Sequence, residues 1–111
     1  MLITGDCLHQ NKGDVKAVAE YIKQIADACG IGVNKVILCP GNHDINRTIK
    51  LRNAAIKIYR NNGTLPQLEK CLEGYGNFKE LYTYLYSDIY EPFSEKIIDN
   101  FRIISIDSYL L

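Results

Sequence analysis

The stretch VILCPGNHDIN, Val36–Asn46, sets an apolar, β-branched run directly against a Pro-Gly turn, followed by an amide, an imidazole and a carboxylate. A run of this kind, stopped by Pro40-Gly41, reads as a buried parallel strand that delivers polar groups at its carboxyl end. A second such run, MLIT, opens the sequence and is stopped by Gly5-Asp6. Between the two, from Asp14 to Cys29, Val15, Val18, Ile22, Ile25 and Cys29 recur at alternating spacings of three and four, with Lys16, Glu20, Lys23 and Asp27 elsewhere on the wheel. This predicts an amphipathic helix, with Gly30 suited to its C-terminal cap. Strand, helix, strand is a βαβ unit whose right-handed crossover sets both strand ends on one edge of the sheet. The fold class is therefore α/β.

Beyond the second strand, RTIKLRNAAIKIYRNNG reads as a helix ended by Asn61-Asn62-Gly63, and LPQLEKCLEG as a shorter one stopped at Gly74. Asn77 is positioned to cap a further helix with Phe78, Leu81, Tyr82, Leu85, Tyr86 and Ile89 on one face, up to Pro92. That tyrosine-bearing stripe reads as packing. The closing EKIIDNFRIISIDSYLL predicts a hairpin about Asp99-Asn100 that feeds a third core strand. The expectation is one domain over 1–111: a motif-bearing βαβ unit over 1–47, a helical insertion over 48–92, and the hairpin with the third core strand over 93–111. The sheet would hold about three core strands plus a short hairpin strand.

A chain of 111 residues has room for a single core. Its 13 basic and 13 acidic residues cancel, which removes any global field toward nucleic acid or an anionic bilayer and leaves phosphate recognition to local groups. No apolar run approaches the roughly 20 residues needed to span a bilayer. The start MLITGD also lacks the basic flank and long apolar core of a secretory signal, so a cytoplasmic setting is expected. Cys7, Cys29, Cys39 and Cys71 show no C-x-x-C pairing and read as reduced, packed thiols.

Ligands of open α/β sheets bind outside the carboxyl ends of the strands, where Asp6 and Asn42-His43-Asp44 fall. Gly5 and Gly41, each just before a polar residue, remove side chains where the backbone must turn sharply. A carboxylate, an amide oxygen and an imidazole form a donor set for a divalent cation of the Mn, Fe or Zn type. A carboxylate can also bridge two such ions, and a pair of ions about 3.5–4 Å apart activates water and holds a phosphoester. Asp6 is the natural bridging candidate. Read singly, the same residues have plainer explanations: Gly5-Asp6 as a capped turn, Pro-Gly-Asn-His-Asp as turn formers, His9 as a solvated loop residue and Asp107 as a strand-end cap.

The two segments ITGDCLHQNKGD and VILCPGNHDINR, one helix apart, resemble the calcineurin-like metallophosphoesterase family, whose Gly-Asp and Gly-Asn-His-Asp motifs occur in this order after these strands. The later FRIISIDSYLL is similar to a subgroup with helices inserted before the next strand. The resemblance implies metal-dependent hydrolysis of a phosphomonoester or phosphodiester with two divalent ions. By it Asp6 would bridge the metals, and Asn42 would bind one of them and touch substrate phosphate. His43 would meet the phosphate and protonate the leaving oxygen or stabilise the transition state, while Asp44 would orient and polarise His43. An imidazole titrating near neutrality suits that proton transfer.

The family's Asp-x-His motif and its later histidine motifs have no counterpart here, where His9 and His43 are the only imidazoles. The expectation is a middle portion of a domain, weakly active or inactive alone, with an exposed sheet edge open to self-association. The alternative is a non-catalytic α/β scaffold or interaction module that retains part of a site. No Gly-rich nucleotide loop follows either strand.

Overall fold

A computed structural model describes residues 1–9, 12–48, 50–62, 65–107 and 110. Strand β1 (Leu2–Ile3) pairs in parallel with β2 (Ile37–Leu38), Leu2 opposite Ile37 and Ile3 opposite Leu38. Helix α1 (Val15–Ala28) makes the crossover between them. Asp14 caps α1, its Oδ1 accepting from Ala17 N–H at 3.0 Å, and Gly30 leaves the helix with φ 67°, the left-handed exit glycine permits. The expected βαβ unit is present, with Val15, Ala19, Ile22 and Ala26 of α1 turned to the core.

Helices α2 (Lys50–Asn62), α3 (Leu65–Cys71) and α4 (Gly76–Tyr86) follow. The expected boundaries shift in three places. Gly74 does not stop the chain: a tight turn over Leu72–Tyr75 carries α3 straight into α4, and Tyr75 rather than Asn77 occupies the N-cap position. Ser87 ends α4 with φ 54°, before Pro92 could. Ile89 thereby falls outside the stripe and is 80% exposed. Arg47 and Thr48 precede α2 in a turn, and Gly63 lies outside the described residues. Of the rest of the stripe, Phe78, Leu81, Tyr82 and Leu85 are buried and Tyr86 is half-buried against the core, and α4 packs across α1.

The hairpin forms as expected, β3 (Phe93–Ile98) antiparallel to β4 (Phe101–Ile106), with Asp99 at φ 54° in the turn. Among the described residues it does not supply a third strand to the core sheet; β1–β2 and β3–β4 are separate pairs. The reason lies on the far edge of β2. Residues of a parallel strand point alternately to either neighbour. Ile37 and Cys39 donate to Met1 and Ile3 of the first strand and its lead-in, so Val36 faces the other way. There the Tyr86 hydroxyl donates to the Val36 carbonyl at 2.9 Å, taking a position a third strand would need. The outer face of the hairpin stays exposed, with Ile97 71% and Ile104 63% accessible.

Asp107, expected as a simple strand-end cap, is buried and accepts from two buried tyrosine hydroxyls: Tyr75 at 2.7 Å and Tyr90 at 3.1 Å. Burial, then the Asp107 charge, push the Tyr90 phenol far above its usual range, so it stays a donor. This network ties the helical segment to the end of the hairpin. Tyr75→Phe is expected to lower stability by about 1.5–3 kcal/mol, the usual worth of a hydrogen bond to a charged group. Urea denaturation would show it as a lower midpoint at constant slope.

Candidate functional site

The site is built where the ends of β1 and β2 meet. Gly5 leaves β1 with φ 105° and Asp6 follows at φ 59°, so two successive left-handed residues fold the chain back over the neighbouring strand end. Gly41 is pressed against that turn. A Cβ on Gly5 would overlap the Gly41 backbone, and a Cβ on Gly41 would overlap the Asp6 carboxylate and amide. The two glycines thus allow backbone-to-backbone contact between loops that are distant in sequence.

Asp44 locks that contact. It is 0% exposed, and its Oδ1 accepts from Leu8 N–H at 2.6 Å while Oδ2 accepts from Gly41 N–H at 2.8 Å. One carboxylate therefore holds an amide from each loop. Burial pushes the Asp44 carboxyl above its ordinary range, more than the backbone N–H bonds lower it, and the Asp6 carboxylate nearby adds to the rise. Cys7, between the two carboxylates in the chain's path, is pushed up to about 11 by burial and then by the Asp44 and Asp6 charges. It is a protonated, packed thiol at neutral pH.

Asn42, His43 and Asp44 form one tight turn directly after Gly41. Asp6 Oδ1 accepts from the His43 backbone N–H at 3.1 Å, which brings Asp6 to the Gly-Asn-His-Asp turn as its nearest acidic neighbour from the other loop. Asn42 is exposed and His43 half-buried. Both Asp44 oxygens engage backbone N–H groups, so Asp44 positions His43 through the backbone of the turn.

His9, given no role from sequence, stacks on His43 with ring centroids 5.6 Å apart and planes 19° from parallel. A short antiparallel bridge makes this possible: His9 N–H donates to Lys12 O at 3.1 Å and Lys12 N–H to His9 O at 2.9 Å. Folding His9 back also brings Lys12 to the site. The sequence carries no periodic signal for so small a bridge; only the His-x-x-Lys-Gly spacing ahead of the helix hints at a turn. His43 lies at the junction of two clefts, one of ≈ 380 Å³ shared with Asp6, Cys7 and His9, the other of ≈ 500 Å³ shared with Lys12, Asn42 and Arg47.

A two-ion centre does not fit these residues by themselves. Among the described residues no group of three or more His, Cys, Asp or Glu is arranged to hold a metal ion. One carboxylate and one amide fall short of the four to six donors such ions take. No helix among the described residues is long and apolar enough to cross a membrane.

Comparison with known proteins agrees with the motif reading. The family model for Calcineurin-like phosphoesterase matches residues 1–109. An uncharacterized metallophosphoesterase-like protein of Bacillus subtilis (strain 168), YydB, is 49% identical over 49 residues, which cover 42% of this chain and 10% of that protein. The chain thus aligns with about a tenth of that relative's length. No solved structure matches.

Proposed function

Because the chain belongs to the calcineurin-like phosphoesterase family, we propose that it carries the Asp6, Asn42 and His43 corner of a site that hydrolyses a phosphomonoester or phosphodiester. The observation that supports this most is the convergence of two strand-end loops: Asp6 Oδ1 lies 3.1 Å from the His43 amide nitrogen, and both loops are clamped by Asp44. In this reading Asp6 and Asn42 are donors toward divalent metal ions of the Mn, Fe or Zn type, and the remaining ligands come from outside residues 1–111.

The work of this chain's own residues follows from their placement. Asn42, exposed at the start of the turn, offers its amide to a phosphate oxygen. His43, half-buried and held through the turn backbone, presents an imidazole that can give a proton to the leaving oxygen and take one back from water. His9, stacked on His43, limits the rotation of that ring. Asp44 positions His43, its own charge being spent on Leu8 and Gly41.

The test is hydrolysis of aryl phosphate monoesters and diesters by the protein expressed with any coding sequence that adjoins residues 1–111, in the presence of manganese. Turnover above the metal-only background is expected. Absence of turnover in a folded preparation would instead favour the second reading, a non-catalytic α/β scaffold, which the short donor set supports.

A further inference from the structure

The larger cleft shares His43 with the Asp6–Cys7–His9 pocket, and the rest of its lining differs sharply from that pocket. Lys12, Asn42, His43, Asn46, Arg47 and Thr48 contribute its polar surface, and no carboxylate lines it among the described residues. Neither Lys12 nor Arg47 takes part in an ion pair among the described residues; those pairs involve Lys23, Lys35 and Arg102.

The cleft is held in shape from below. The Asn46 N–H donates to the Gly74 carbonyl at 2.9 Å, fixing the floor to the turn between α3 and α4. Asn46 Oδ1 accepts from Thr48 N–H at 3.1 Å and from the Thr48 hydroxyl at 2.7 Å. Its acceptor is thereby used internally, and the side chain's remaining capacity is its N–H donors. Arg47 is tethered by its carbonyl, which accepts from the Asn53 amide at 3.1 Å, and Lys12 by its bridge to His9. The result is a groove with two cations that have no ion-pair partner among the described residues, amide donors and a hydroxyl, with His43 in its wall.

We infer that this groove is the leaving-group side of the site and that Lys12 and Arg47 hold a second phosphate of the substrate there. The inference rests on the phosphoesterase reading above, which makes His43 the group that faces the leaving oxygen. Whatever departs from the phosphorus must then extend past His43, and the surface waiting there is cationic. A neutral alcohol would leave both charges unanswered, whereas a phosphate gains charge-assisted hydrogen bonds from each. The substrate class is an ester whose leaving group carries its own phosphate, such as a nucleoside bisphosphate or a sugar bisphosphate.

Isothermal titration separates these possibilities. A nucleoside bisphosphate and a hexose bisphosphate would each be titrated against the corresponding monophosphate, with wild type and with a Lys12→Gln/Arg47→Gln double variant. At least one bisphosphate is expected to bind wild type about tenfold or more tightly than its monophosphate, a margin of about 1.4 kcal/mol. A margin for both identifies the second phosphate alone as what is read; a margin for the nucleotide only adds a contribution from the base. The double variant is expected to lose the margin while its urea midpoint stays at the wild-type value, since both side chains are exposed. In wild type the margin should shrink as salt is raised, as expected for exposed charges. Equal affinities in wild type, or a margin that survives in the double variant, would overturn the inference. The same protein, expressed with any coding sequence that adjoins residues 1–111 and assayed on aryl phosphate with manganese, keeps the two readings apart. Hydrolysis without a margin removes the groove assignment alone, while a margin without hydrolysis removes the phosphoesterase reading and the leaving-group assignment with it.

Discussion

Asp44→Ala is expected to cost roughly 2–4 kcal/mol, a large share of the 5–15 kcal/mol that holds a typical domain together. The side chain is fully buried and serves two backbone N–H groups, those of Leu8 and Gly41, in loops that are otherwise joined by the close glycine contact and the single bond from His43 N–H to Asp6. Each buried donor left without an acceptor costs about 1–3 kcal/mol. Asp44→Asn keeps one acceptor oxygen and should lose about half as much. The pH dependence carries a sign of its own. Burial raises the folded Asp44 carboxyl above its unfolded value. Its contribution is therefore fully present below the unfolded value and is lost as pH rises through the folded one. Asp44→Asn should remove that part of the pH profile. Urea melts of the three proteins across the mildly acidic range measure both effects, and a wild-type midpoint for Asp44→Ala would contradict the clamp.

Gly5→Val is expected to do at least as much damage by a different route. The position has φ 105°, and a Cβ there falls on the backbone of Gly41 rather than on a side chain that could move aside. Conformation alone costs about 1–2 kcal/mol for an L residue in the left-handed region. The clash adds separation of the loops, for a total on the order of 4 kcal/mol or more. Gly30→Ala is the matched control, since Gly30 also has positive φ but nothing lies within 4 Å of an added Cβ. It should lose only the conformational part, about 1 kcal/mol. If the two variants melted alike, the close approach of the strand-end loops would not be holding the site together.

Much of this architecture could be read from the residues because it rests on local chemistry. Apolar runs cut off by Gly5-Asp6 and Pro40-Gly41, with a strongly periodic stretch between them, can hardly form anything but a βαβ unit. That unit brings Asp6 and His43 to one edge. The fate of β4 was not legible in the same way. FRIISI has the composition of a core strand, but the far edge of β2 is met instead by the Tyr86 hydroxyl on the Val36 carbonyl, a long-range contact that no periodicity encodes. The end of α4 turned on Ser87 adopting a left-handed conformation before Pro92 could act.

The site divides along the same line. Asp6, Asn42, His43 and Asp44 carry motif signals. His9, Lys12 and Arg47 do not; two of them are placed by a bridge between residues 9 and 12, and the third by a tether to Asn53. Asp44 shows why spacing is a weak guide to role. Adjacent to His43 in sequence, it looks like the partner of an imidazole, yet its oxygens reach back to the loop that follows β1 and to the start of its own turn. Its 0% exposure is what the sequence could not reveal.

The measurement that bears most directly on the functional claim is the turnover number of His43→Ala in the manganese-supplemented aryl phosphate assay, with the protein expressed alongside any adjoining coding sequence. If His43 handles the proton of the leaving oxygen, kcat should fall by about 10²–10⁴-fold with KM little changed, and most steeply for substrates with poor leaving groups. A His43→Ala protein that turns over aryl phosphate at the parental rate would contradict the account.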